Sequence, residues 1–166
     1  VILTGALILS MGVAAFAATP SKTVADEIKA DAAVETTGFD RVSISTEETE
    51  ATVAQSAEVV KELASSTEEL KETAGATAEE KIEIIAVRTV TSKQTPLFNR
   101  TKVTVSLSSA VIDAACTENE QVTVLVMVPV VGKDGTVTYE KIAVTSGIVK
   151  DGKVQVTLTG ALLKKI

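Results

Sequence analysis

The chain has 166 residues and a net charge of −6 at neutral pH, which is enough length for one domain with a hydrophobic core. It contains no His, which excludes Ser-His-Asp and Cys-His catalysis and most zinc sites, and its 2% aromatic residues offer almost no rings on which nucleic-acid bases could stack. Its acidic balance also disfavours a nucleic-acid partner, because gripping a phosphate backbone needs clustered Lys and Arg.

The first 17 residues, VILTGALILSMGVAAFA, carry no charge. They end in Ala15-Phe16-Ala17, the small-x-small pattern that signal peptidase accepts, so they predict a signal peptide over 1–17 with Ala18 as the new start. An uncleaved membrane anchor and a buried core helix are the alternatives. A signal peptide normally begins with a positive region, and we therefore expect a few residues to precede Val1 in the gene product.

Residues 18–46 lack sustained hydrophobic periodicity and predict a flexible leader. A brief alternation in FDRVSIS predicts one short strand at 41–45.

Residues 47–75 predict an acidic amphipathic helix or helix pair. Val53, Ala57, Val60 and Ala64 recur at spacings of three and four, as on one face of a helix. Ser66, with Glu at the third following position, resembles a capping box, so a second helix can start there and end before Gly75. The Glu-rich opposite face is typical of a solvated surface.

From residue 81 onward the hydrophobic period changes to two, which predicts strands near 82–91 and 102–107 and a meander over 121–131, 136–144 and a pair around 151–152. KVTVSL and KVQVTLT are apolar on one side only, whereas QVTVLVMVPVV is apolar on both sides. Pro129 indicates a bulge or an edge, because it cannot donate to a ladder. Asp134-Gly135 and Asp151-Gly152 each predict a type I′ hairpin turn.

These elements predict a mainly β fold with an N-terminal helical segment (α+β), in which 81–166 forms an antiparallel, immunoglobulin-like β-sandwich. The final GALLKKI predicts a short helical or connecting turn. A sandwich that stopped there would expose a hydrophobic edge, so we expect the sandwich to be truncated at its C-terminal end.

No residue is predicted to be catalytic, to bind a cofactor or to ligate a metal. Cys116 is the single Cys and is interpreted as a small apolar filler near a turn. Asp113, Glu118 and Glu120 are interpreted as solvated charges. Asp134 and Asp151 each stand alone in a turn, whereas a calcium loop supplies several carboxylates at alternating positions.

Charge is divided unevenly along the chain. Residues 18–80 carry 15 acidic and 5 basic residues, whereas 81–166 carry 7 acidic and 11 basic residues. This asymmetry predicts that the acidic helical segment docks on the basic β half, with polar rims rather than the core supplying the attraction.

The order of export signal, acidic helix, EKIEIIAVRTV and the long Val/Thr-rich stretch from KVTVSL to VQVTLTG resembles small secreted proteins of Gram-positive gut bacteria that have an immunoglobulin-like C-terminal sandwich. The resemblance implies no catalytic activity. We therefore expect a secreted or cell-surface, non-catalytic module with a structural or adhesive role, whose partner is unknown and could be a cell-wall polymer or another envelope protein. The signal segment would be its only membrane contact. A glycan-binding sandwich is the alternative, which would depend on Phe39, Phe98 and Tyr139, since Trp is absent.

Overall fold

A computed structural model describes residues 3–12, 29–35, 42, 44–47, 49–77, 79, 82–92 and 96–165. The strands are β1 (Leu3–Gly12), β2 (Lys29–Glu35), β3 (Ile44–Ser45), β4 (Ile82–Ser92), β5 (Lys102–Ser108), β6 (Gln121–Val131), β7 (Val137–Lys150) and β8 (Lys153–Thr159). The helices are α1 (Glu50–Ala64), α2 (Thr67–Ala74), α3 (Ala110–Ala115) and α4 (Gly160–Leu163). The prediction of a mainly β fold with an N-terminal helical segment is confirmed.

All eight strands belong to one antiparallel sheet with the order β2-β5-β8-β7-β6-β1-β4-β3. Within the described part of the chain, β2 and β3 are its two edges. β8 lies between β5 and β7, so it is an interior strand. The antiparallel arrangement predicted for 81–166 is confirmed.

One face of the sheet, here called the inner face, holds most of the hydrophobic core. The register aligns Val105 with Val156, Val156 with Gly147, and Gly147 with Val122, so one row of the core crosses four strands. The fully or almost fully buried inner-face side chains on β5, β6 and β8 are Val103, Val105, Leu107, Val122, Val124, Val126, Val154, Val156 and Leu158. On β5 and β8 these side chains alternate with polar neighbours, as the two-residue period of a strand requires, whereas on β6 the neighbours Leu125 and Met127 are themselves buried.

Strand β7 joins the two halves of the sheet. The first part of this strand pairs with β6, and its last residues pair with β8 as well. At Gly147 an added Cβ would lie 2.9 Å from Val154 Cγ1 and 3.2 Å from Val122 Cγ2, so the missing side chain lets the flanking strands' side chains close over the backbone. Helix α3 contacts both β4 and β8, which stand four places apart in the sheet. A six-residue helix is only about 9 Å long, and four flat strand spacings span about 19 Å, so this shared contact indicates a curled sheet.

The opposite, outer face differs between the two halves of the sheet, the half that contains β5 and β8 and the half that contains β4 and β6. On β5 and β8 it is polar, with Thr104 and Thr157 on paired positions. On β4 and β6 it is covered by helices, and Thr89 and Met127 are 1% and 3% exposed there. β5 and β8 therefore have one covered face, whereas β4 and β6 are covered on both.

The helix pair predicted within 47–75 is confirmed. The Ser66 side chain accepts a hydrogen bond from the backbone N–H of Glu69, and α2 ends at Gly75 with a φ of 72°. Helix α1 starts at a capping box formed by Thr49 and Thr52.

The helices dock on the sheet mainly through buried groups. Val59 of α1 is fully buried and Leu70 of α2 is 5% exposed. The hydroxyls of Ser56 and Thr89 share a buried hydrogen bond of 2.8 Å between α1 and β4. The expectation that polar rims rather than the core supply the attraction is therefore wrong, because apolar burial supplies the larger share.

Several elements differ from the sequence prediction. Residues 3–12, inside the predicted signal peptide, form a strand, so the alternative of a buried core helix is wrong, and residues 29–35, inside the predicted leader, form the edge strand β2. Short helix α3 was not predicted; its N-cap Ser109 accepts from the N–H of Ile112, and Ile112 is fully buried. The meander is longer than predicted, because β7 continues past Val144 to Lys150.

The two Asp-Gly turns have different conformations. Asp151 and Gly152 both have positive φ, 53° and 72°, so the type I′ prediction is confirmed there. It is wrong for Asp134, whose φ is not positive. The Asp134 carboxylate instead accepts from the N–H of Thr136, which favours a longer loop closed by Gly132 N–H donating to Thr136 O at 2.7 Å.

Candidate functional site

The end of the β6–β7 hairpin is the most exposed apolar feature among the described residues. Strand β1 pairs with β6 only as far as Met127, so in the segment 128–140, here called the hairpin tip, β7 is the one described strand that lies beside β6. Pro129 lies on this free stretch, which agrees with its predicted edge position. The hairpin tip therefore extends beyond the region in which β1, β6 and β7 lie side by side.

Valines cover both sides of the tip. Val131 and Val137 are register partners and are 68% and 45% exposed, and Val130 is 39% exposed. Side chains of this type are normally buried, and a group of them at one place indicates a contact surface. These valines stand in VPVVGKDGTV, around the proline that indicates a bulge or an edge, but the sequence pattern did not predict their exposure.

The turn of the tip is fixed by local hydrogen bonds. The backbone N–H of Gly135 donates to Gly132 O at 3.0 Å, in addition to the two bonds that involve Thr136. Hydrogen bonds from Thr136 hold the pKa of Asp134 below its usual value, so the carboxylate is charged under ordinary conditions. These bonds close the charged loop directly beyond the exposed valines.

Tyr139 anchors the base of the tip to helix α1. Its hydroxyl donates to Glu58 Oε2 at 3.2 Å, and the ring is 9% exposed. Burial, assisted by Glu58 and Glu62, raises the pKa of Tyr139 to about 12. On the same strand, Lys141 Nζ donates to Thr73 O of α2 at 2.9 Å. The hairpin is therefore tied to both helices.

Two shallow clefts flank Tyr139. The larger, about 530 Å³, is lined by Glu58, Lys61, Glu62, Ser65, Val137 and Tyr139. The smaller, about 250 Å³, is lined by Glu62, Leu63, Glu69, Glu72, Thr73, Met127, Tyr139 and Lys141. Both have an acidic rim with one Lys, and the larger one opens directly beside the exposed Val137. Among the described residues, no group of three or more Cys, Asp or Glu is arranged to hold a metal ion.

The remaining chemically active side chains lie elsewhere. Burial raises the pKa of the Cys116 thiol to about 11, and Glu120 adds to this effect, so the thiol is protonated at neutral pH. Glu118 accepts a hydrogen bond from the N–H of Asp151 at 3.0 Å, and Glu120 accepts one from the N–H of Thr117. These carboxylates fasten turns, a structural use that their interpretation as solvated charges did not include.

The predicted processing residues Ala15, Ala17 and Ala18 lie outside the described residues, and so does Phe39. Signal-peptide cleavage therefore stays a prediction. Of the other two rings named for glycan binding, Phe98 is half-buried and Tyr139 is occupied by its contact with Glu58. The glycan alternative also stays a prediction.

Comparisons with models of protein families, with curated proteins and with solved structures give no match to this chain. No helix within the described ranges is both long and apolar enough to span a bilayer.

Proposed function

We propose that this protein is a secreted, non-catalytic module of the extracellular space or cell envelope, with a structural or adhesive role. The observation that carries the proposal is the hairpin tip, where Val131 and Val137 are exposed on a strand pair that is tied to both helices. An apolar patch beside a charged cleft is the usual composition of a protein-binding surface, with a hydrophobic centre and a polar rim.

The contact chemistry favours another envelope protein over a cell-wall polymer. Branched aliphatic side chains bury well against a protein surface, whereas polysaccharides are usually held by aromatic stacking and dense hydrogen bonding. The uncharged leader ending in Ala15-Phe16-Ala17 supports export as the route to that partner.

We also propose that the two halves of the sheet form the facing layers of an immunoglobulin-like sandwich. Three observations support this: the continuous buried inner face, the close approach of Val122 and Val154 at Gly147, and the contacts of α3 with both β4 and β8. Burial of a long row of inner-face valines requires a second apolar layer, and a curled sheet can supply that layer from its own other half.

A paired substitution tests the adhesive role. The double change Val131→Thr and Val137→Thr removes the exposed aliphatic surface, and Val144→Thr is a matched control because Val144 is 46% exposed on the same strand but outside the tip. The assay measures retention of purified protein on an envelope-protein fraction and on purified cell-wall polymer. We expect at least a tenfold loss of retention on the protein fraction for the double variant and no change for the control. Equal retention of all three proteins would remove the support for the tip.

A further inference from the structure

Strand β1 fills the centre of the sheet. It lies between β4 and β6 and is antiparallel to both, with Ile8 opposite Val87 on one side and Leu125 on the other. Because both neighbours are antiparallel to β1, β4 and β6 are parallel to each other. They stand two strand spacings apart, about 9.6 Å.

This central strand falls inside the predicted leader, residues 1–17. If the leader is removed on export, as the proposed function requires, β4 and β6 lose the backbone partner that they share. The exposed row of N–H and C=O groups would then face a gap one strand wide, which is costly in a buried part of a sheet.

The gap is held open by the surrounding structure. Helix α2 contacts both β4 and β6 and so spans the position of β1. Strand β4 is also fixed to α1 by the buried Ser56–Thr89 hydrogen bond, and β6 is paired with β7 along its whole length. Closing the gap would require one half of the sheet to move by a full strand spacing and break these contacts.

We propose that the slot between β4 and β6 is a strand-acceptor site, which takes an uncharged aliphatic segment of about ten residues from another polypeptide after the leader has been removed. Addition of a strand to free sheet edges is an established mode of peptide recognition, in which main-chain hydrogen bonds give affinity and side-chain pockets give specificity. The slot offers two such edges at once.

The chemistry of the occupant follows from the walls of the slot. Val87, Val124, Leu125 and Val126 are each at most 1% exposed, so an incoming charge facing them would be buried without water. The length follows from the pairing with β4, which extends over ten residues of β1. The occupant also has to run antiparallel to β4 and β6.

A second processed copy of this chain is a poor donor. In residues 18–166 the uncharged stretches of ten residues or more are found at 103–112, 121–132 and 154–163. All three contain strands that carry the buried inner face of the sheet, namely β5, β6 and β8. A donor copy would have to unfold its own core, so the donor is a different polypeptide.

The test starts from the intact, folded chain. A protease recognition sequence is inserted between residues 13 and 28, and the purified protein is cut there. A labelled peptide of residues 1–13 with a soluble tail is then added in mild denaturant, and the denaturant is removed. The matched control peptide carries Ile8→Asp, at the register position between Val87 and Leu125. Uptake is read by fluorescence anisotropy, and seating by hydrogen exchange of the β4 and β6 amides.

We expect one peptide per chain, protection of amides in both strands, and at least tenfold weaker uptake of the Ile8→Asp peptide. No uptake of the labelled peptide, equal uptake of both peptides, or protection of amides in only one of the two strands would overturn the proposal. Mass spectrometry of the exported protein tests leader removal separately. Failure of export would therefore be distinguished from failure of the slot to accept a strand.

Discussion

The two halves of the sheet share a buried inner face of aliphatic side chains but differ in whether their outer face is covered. On β5 and β8 the inner-face valines alternate with outer-face Thr104 and Thr157, which leave that face polar. On β6 the four consecutive residues Val124 to Met127 are all buried, because the inner core lies on one side and the helices lie on the other. A one-sided alternation therefore marks a strand with one covered face, and an unbroken apolar run marks a strand that is covered twice.

The difference also explains why the helical segment is acidic without being detached. Its apolar stripe, including Val59 and Leu70, is buried against β4 and β6. Its glutamates remain exposed, including Glu58, whose carboxylate accepts a hydrogen bond from the Tyr139 hydroxyl. Burial of a few aliphatic side chains contributes about 1.5–3 kcal/mol each to docking. The charged face stays in water, so its solvation does not oppose the docking.

The largest expected change in the free energy of unfolding comes from a Lys on the covered outer face, compared with a Lys on the exposed outer face of the other half. Met127→Lys puts a charge beneath the helices, where the native side chain is 3% exposed, whereas Thr157→Lys puts the same charge on the exposed outer face of β8. Loss of Met packing alone costs about 2–5 kcal/mol, and burial of an unpaired charge adds to it. We expect Met127→Lys to lower the free energy of unfolding by at least about 3 kcal/mol, and Thr157→Lys to change it by about 0.5 kcal/mol or less.

Urea unfolding followed by far-UV circular dichroism measures both values. Equal small effects for the two variants would mean that the helices do not cover the outer face of β6. Equal large effects would mean that the outer face of β8 is also buried.

Gly147 sharpens the comparison, because it lies where the two halves join. The Cβ of Gly147→Ala would meet Val154 Cγ1 at 2.9 Å and Gln155 O at 3.2 Å. Overpacking of this kind costs about 1–3 kcal/mol, so we expect a loss of about 2 kcal/mol in unfolding free energy, against about 0.5 kcal/mol or less for the exposed neighbour Ser146→Ala.

The double variant Gly147→Ala with Val154→Ala supplies the control for this mechanism. Removing the valine methyl groups makes room for the added Cβ, so the two costs should sum to more than the cost of the double change. Strict additivity in urea melts would show that the strain at Gly147 does not come from Val154.

The sequence predicted the parts of the fold whose signal is local. Alternation located β5, β6 and β8, and the Ser66 and Gly75 caps located α2. It could not locate β1, because an uncharged run such as VILTGALILSMGV satisfies a leader, a buried helix and a central strand equally well. It also missed β2, since KADAAVE is only weakly apolar and becomes a strand through pairing with β5.

The candidate site was harder to predict than the fold. Exposure of Val131 and Val137 depends on where β1 stops pairing with β6, a long-range property that no local pattern contains. The clefts beside Tyr139 depend on how α1 and α2 dock across strands that lie far away in the sequence. Local periodicity identifies strands, but the identity of each strand's neighbours decides which valines are left uncovered.

Tyr139 gives the smallest expected effect and the most direct probe of the contact between helices and sheet. It is the single Tyr in a chain without Trp, so the tyrosinate absorbance reports on this residue alone. Because its folded-state pKa is about 12 and the ordinary value is 10.0, the unfolded chain loses this proton first as the pH rises. The contact therefore stabilises the fold below pH 10, and its contribution declines between pH 10 and pH 12.

We expect tyrosinate absorbance of the folded protein to rise near pH 12 and that of the urea-unfolded chain near pH 10. The pH-dependent loss of stability from this group should be about 1 kcal/mol at pH 11, and Tyr139→Phe should lack that part of the loss. Because burial is the main cause and Glu58 the second, Glu58→Gln should lower the folded pKa without returning it to the ordinary value. A folded-state midpoint near pH 10 in the wild-type protein would place Tyr139 in water and would separate the hairpin from α1.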